Sequence, residues 1–169
     1  LIGFASAMRR SNLVNIEVEH LDFVIQGMEI YIPHSKTDQM GDGHICRIAR
    51  GEIPITCPIE GLRDWLNLSG ITDGKIFRAV NKSGKIGEPL KDQTVWRIVK
   101  GRLKELGRED WDSFGGHSLR AGFASTAADN GASIQAIKTQ GAWKRDATLM
   151  EYLRNKEDWD NAASYKLGL

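Results

Sequence analysis

Gly115-Gly116-His117-Ser118-Leu119-Arg120 is the stretch from which the rest of the chain can be read. Two glycines interrupt the chain, and the residues after Ser118 carry a helical pattern. His117 and Arg120, three positions apart, therefore share one face of the helix entry. Ser118 is the expected N-cap, which puts the positive end of a helix beside an imidazole and a guanidinium. Downstream, Gly141-Ala142-Trp143 brings an indole, whose only polar group is a donor. Glu151-Tyr152-Leu153-Arg154 then brings a phenol on a separate helical run. A cation, an imidazole, an indole donor and a phenol suit attack on a phosphodiester without a metal.

Working outward, the helix over 118–129 is expected to turn Leu119, Phe123 and Ala127 to a core and to stop at Asn130-Gly131. Ser133 caps a shorter helix over 134–139, ended by Gly141. Asp146 caps a third, with Leu149 and Leu153 on one side and Tyr152 on another. Upstream, a helix over about 92–106 ends at Gly107, and one over about 59–68 ends at Ser69-Gly70, with Leu62, Trp65 and Leu66 inward. Residues 76–77 read as a short extended piece and 81–89 as a loop. Before them, 21–25, 28–32 and 45–49 read as three strands of a small antiparallel sheet, which needs helices packed on it to persist. The chain opens with one helix over 1–14, whose apolar stripe includes Phe4, Met8 and Leu13 and which carries Arg9 near its end. A last helix is expected over 155–165, with Trp159 on it. The fold class is thus α+β, mainly α: a helical domain with a small three-stranded antiparallel sheet.

Composition narrows the classes. A length of 169 residues allows one domain with a real core, and 41% apolar with 27% charged residues is ordinary for a globular chain. No run of about 18 apolar residues marks a membrane span. Leu1 is not an initiating Met, and the opening reads as the remainder of a longer protein's helix. Cys46 and Cys57 lack metal-ligand spacing and read as reduced, half-buried thiols of a cytoplasmic protein. The net charge of +1 hides an uneven distribution. Between Lys75 and Arg108, ten Lys and Arg face only Glu88, Asp92 and Glu105 as acids, whereas acids gather at Glu151, Glu157, Asp158 and Asp160. That basic stretch is either a solvated face or a surface for a phosphate backbone.

The order Arg9, Lys36, His117-Ser118-Leu119-Arg120, Trp143, Tyr152 resembles the catalytic domain of the tyrosine recombinase (phage integrase) family, over almost the whole chain. The resemblance implies a catalytic domain over 1–154 without the family's separate N-terminal DNA-clamping domain. It also implies a tail over 155–169 that docks on a neighbouring subunit; the residues equally allow it to fold back on its own domain. Arg9 and Arg120 would clamp the phosphate, and Lys36 would be the general acid for the departing 5′-oxygen. His117 would accept a proton or hold the phosphate, Trp143 would donate to a phosphate oxygen, and Tyr152 would be the nucleophile. The expected partner is double-stranded DNA, bound as a homotetramer on paired sites, with no cofactor, metal or ATP. Arg10 reads as a surface arginine. One departure stands out: the family often has an acid three positions beyond its first arginine, and here that residue is Asn12. The rival expectations are a type IB topoisomerase-like relaxation and a DNA-binding module without chemistry.

Overall fold

The computed structural model of the protein describes residues 1–33 and 43–153. Seven helices and two small antiparallel sheets are formed among them: α1 (Ile2–Ala5), α2 (Arg10–Val14), β1 (Leu21–Val24), β2 (Gly27–Ile32), β3 (His44–Ala49), α3 (Pro58–Ser69), β4 (Arg78–Val80), β5 (Ile86–Pro89), α4 (Asp92–Glu105), α5 (Ser118–Asp129), α6 (Ile134–Gln140) and α7 (Asp146–Leu153). The expected fold class holds, with the three-stranded sheet in the order β1-β2-β3. No helix among the described residues is long and apolar enough to cross a membrane.

The sheet follows from alternation. Met28, Ile30 and Ile32 on β2 point inward and are buried, while Tyr31 between them is exposed. Ile30 pairs with Leu21 on one side and with Cys46 on the other, so the central strand sets the register of both neighbours. Gly27 opens β2 because a Cβ there would lie 2.0 Å from the Ile48 carbonyl oxygen. On α3, Ile59 and Leu62 supply the buried side, and Trp65 donates its indole N–H to the Ile76 carbonyl at 2.7 Å. That bond and the one from the Ile76 N–H to the Ile16 carbonyl knit α3, the chain around 76 and the end of α2 into one large cluster. Each fully buried aliphatic side chain there stabilises the fold by roughly 1.5–3 kcal/mol relative to exposure.

A second, much smaller cluster holds the C-terminal helices together: Ala7, Ala124, Ile137, Trp143 and Leu149, with Phe123, Ala127, Tyr152 and Leu153 packed against it. Ser133 caps α6 as expected, accepting from the Ala136 N–H at 3.1 Å, and Gly141 ends that helix. Gly70 and Gly107 end α3 and α4 with positive φ, as C-terminal glycines do.

Several expectations are corrected. The opening helix is two short helices, separated at residues 6–9 by a turn in which Ala7 takes φ +53°. Residues 81–89 are not plain loop. They close a hairpin of β4 and β5, whose turn is organised by the Asn81 side-chain oxygen accepting from the N–H groups of Ser83 and Lys85. His117, not Ser118, is the N-cap residue of α5; the Ser118 hydroxyl instead accepts from the Gly115 N–H at 2.8 Å. The most buried stripe of α5 is Arg120 and Ala124, one position round from the one expected, with Leu119, Phe123 and Ala127 half-buried. Asp146 lies inside the first turn of α7 and pairs with Lys138 at 2.5 Å. Cys46 and Cys57 are free thiols that are fully rather than half buried. The tail over 155–169 lies outside the described residues.

Candidate active site

The site grows from the break between α1 and α2. Ala7, in the left-handed region, turns its carbonyl toward α5, and Arg120 Nη1 donates to that oxygen at 2.5 Å across 113 residues of sequence. Two more side chains fasten the same turn. Gln140 Nε2, at the end of α6, donates to the Ala5 carbonyl at 3.0 Å and approaches Cys46 Sγ at 3.5 Å, and that thiol faces the Ser6 carbonyl at 3.6 Å. Burial pushes the Cys46 thiol up to about 12, so at neutral pH it stays protonated and acts as a donor. The Ser6 hydroxyl accepts from the Met8 N–H, which completes the turn and delivers Arg9 to the N-cap position of α2.

Arg120 is the centre. It is only 4% exposed, and its guanidinium lies 3.6 Å from the centroid of the Trp143 ring. Trp143 can reach it because the ring folds back over Gly141, where a Cβ would stand 1.8 Å from the indole. Ala142 between them takes φ +49°, so the described chain's only two non-glycine residues with positive φ, Ala7 and Ala142, both flank Arg120. The edge of Tyr152 meets the Trp143 ring at 5.9 Å between centroids, at 62°. The Tyr152 carbonyl accepts from the Ser125 hydroxyl at 3.2 Å, which ties α7 to α5. Tyr152 thus packs on the same cluster as Leu149 rather than pointing away from it.

Electrostatics agree with the geometry. Burial, then repulsion by Arg9, lowers the Arg120 pKa to about 10, while Tyr152 acts in the opposite direction. Arg120 remains a cation at neutral pH. Among the described residues its Nη2 is buried without a hydrogen-bond partner, and the small cavity that Arg120 shares with Arg9 is lined there by Ser6, Met8, Asn12, Ile32, His44, Gln140, Gly141 and Ala142. No carboxylate stands in that wall among the described residues. A buried orphan donor costs roughly 1–3 kcal/mol, and two guanidiniums with no acid among the described lining residues favour a negative charge beside them. Among the described residues, no three His, Cys, Asp or Glu side chains gather as they would around a metal ion.

Of the six residues expected from sequence, Arg9, Arg120, Trp143 and Tyr152 come together. His117 is exposed at the start of α5, and its side chain has no hydrogen bond, ion pair or ring contact among the described residues. Lys36 lies outside the described residues. Sequence reading missed Gln140, Ser6 and Cys46, which carry no local signal of a site because their partners are backbone carbonyls of a distant turn.

The comparisons with known proteins agree on one family. A family model described as "Phage integrase family" matches residues 1–158. The chain is 36% identical over 153 residues to an integrase/recombinase XerD homolog of Selenomonas ruminantium, covering 90% of this chain and 45% of that protein. The fold resembles the crystal structure of XerA recombinase with a TM-score of 0.69 at 19% identity, covering 92% of this chain and 50% of that one. It resembles XerH site-specific recombinase, bound to its difH substrate before cleavage, with a TM-score of 0.65 at 15% identity, covering 98% and 44%. The chain therefore spans about half the length of the relatives it matches. It belongs to the phage integrase family.

Proposed function

We propose that this chain is the catalytic part of a site-specific DNA recombinase, cleaving and rejoining strands through a 3′-phosphotyrosine without metal or ATP. The observation that carries the reading is the buried Nη2 of Arg120, unpartnered among the described residues, set beside Arg9 in a cavity with no described carboxylate and linked through Trp143 to Tyr152. The scissile phosphate supplies the acceptor that Arg120 lacks among the described residues, and the two guanidiniums hold its non-bridging oxygens. Fixed cations of this kind favour the charge that builds up during attack without reorganising. Trp143 contributes its indole donor.

The Tyr152 oxygen attacks phosphorus and passes its proton to His117, the exposed base at the start of α5. The new bond joins Tyr152 to phosphorus, the bond to the 5′-oxygen breaks, and Lys36 gives that oxygen a proton. A 5′-hydroxyl from another strand then reverses the step, and the phosphotyrosine bond conserves the energy of the broken linkage. Residues 1–154 form the catalytic domain, and the tail over 155–169 docks on a neighbouring copy in a tetramer on paired sites. The basic stretch from Lys75 to Arg108 follows the DNA backbone. The complex of the related XerH with its substrate supports DNA as the partner.

The test is a covalent-adduct assay. The protein is incubated in EDTA with a nicked duplex that releases its short 5′-fragment on cleavage. A denaturation-resistant protein–DNA adduct is expected, and Tyr152→Phe should abolish it. An adduct that survives Tyr152→Phe would remove Tyr152 from the role, and the absence of any adduct would leave a DNA-binding module.

A further inference from the structure

Arg10 follows Arg9 directly, yet the two side chains go to different places. Arg9 lines the cavity with Arg120. Arg10 crosses to the loop before α5 and lays its guanidinium on Gly116. A Cβ at position 116 would stand 2.4 Å from Arg10 Nε and 2.5 Å from its Cζ. The slot exists because residue 116 has no side chain, so the position of the guanidinium is built into the backbone of the stretch that also carries His117.

Nothing in the described protein uses that guanidinium. Arg10 is half-buried, but among the described residues it makes no ion pair, side-chain hydrogen bond or ring contact. Several other arginines, most of them more exposed, do have partners: Arg47 with Glu29, Arg50 with Glu60, Arg108 with Asp110, and Arg63 over Phe23. A guanidinium held in one place keeps its five donors in a planar fork that matches a phosphate. Ordering such a side chain without a protein acceptor costs rotamer entropy that only an outside acceptor repays.

We propose that Arg10 is a second backbone-phosphate contact: seated on Gly116, it holds a different phosphate of the DNA from the one that Arg9 and Arg120 clamp. Arg10 is seated at Gly116 in the loop before α5, whereas Arg120 stands within the first turn of that helix, four residues on. One DNA strand rises about 3.4 Å per nucleotide, so cations at these two levels meet different phosphates. Arg10 thereby fixes the register in which the strand crosses the site. This deepens the DNA-cleavage reading and rests on its choice of partner.

The test measures binding to a duplex against salt concentration, in a Tyr152→Phe background so that no adduct distorts the equilibrium. Each phosphate contact contributes ~0.9 to the log–log slope. Arg10→Ala should flatten the slope by about that much and weaken binding to different sequences about equally. Between about 50 and about 200 mM salt, its disadvantage against the Arg10 protein should shrink about 3.5-fold. Arg10→Lys should keep the slope, because the charge remains. Gly116→Ala, which fills the seat, should reproduce Arg10→Ala, and the double variant should bind no more weakly than Arg10→Ala. Melting temperatures should match that of the Arg10 protein. An unchanged slope in Arg10→Ala would overturn the proposal, and so would additive losses in the double variant. An absent Tyr152 adduct would sink the cleavage chemistry alone, since the salt slope is read from binding.

Discussion

The two apolar clusters of the molecule differ in what they are made to do. The larger, around the sheet and α3, is mainly aliphatic, with Ile16, Met28, Ile30, Ile59 and Ile76 fully buried and no charged residue among its members. The smaller, between α5, α6 and α7, is built largely of alanine and aromatic residues, and the charged Arg120 is buried against its Trp143. One region stabilises the fold through area removed from water. The other gives up area to hold a guanidinium, an indole and a phenol in a fixed relation. Ala7 belongs to the second cluster although its neighbours in sequence belong to the first, so the turn at 6–9 is where the two are joined.

The contrast is broken most directly at Arg120. Arg120→Ala should slow adduct formation by at least ~10²–10³-fold, the scale for one fixed donor to a developing oxyanion. It should also lower the melting temperature, because the Ala7 carbonyl loses its partner. Single-turnover cleavage and thermal melting check the two halves; a full melting loss with cleavage intact would reverse the assignment of roles. Next in size, Ile30→Ala in the aliphatic cluster should cost about 2–5 kcal/mol of stability. The adduct rate per folded molecule should be unaffected at low temperature. Denaturant titration alongside an active-fraction assay checks it, and a rate loss beyond the unfolded fraction would show the clusters to be coupled. The smallest change sharpens the comparison. Ala142→Gly relieves a left-handed alanine at the site and should raise stability, by less than about 1 kcal/mol once the entropy of glycine is counted. The same melting experiment reads its sign.

The aliphatic half was legible in the sequence because its signals are local. Alternation in β2 and the glycine stops of α3 and α4 act within a few residues of themselves, as does the Ser133 cap in the other half. Residues 81–89 read as loop, and not as part of a hairpin, because β4 has only three residues and β5 contains both Gly87 and Pro89. The break at 6–9 was invisible for a different reason. Ala5-Ser6-Ala7-Met8 suits a helix, and what holds it in a turn is a set of donors from Arg120, Gln140 and Cys46, far along the chain. Tertiary contact overrides propensity there. The same distance explains why Arg9, Arg120, Trp143 and Tyr152 could be named from their order and types, whereas Gln140 and the seat of Arg10 on Gly116 could not.

The turn at Ala7 also sets an order of events during synthesis. Arg120 leaves the ribosome 113 residues after the carbonyl it must capture, roughly 6–20 s later at ordinary translation rates. Gln140 follows it. Until then a growing chain can assemble its sheet and α3 while Arg9 stays unplaced. A truncated product therefore carries Arg9 with nothing to aim it.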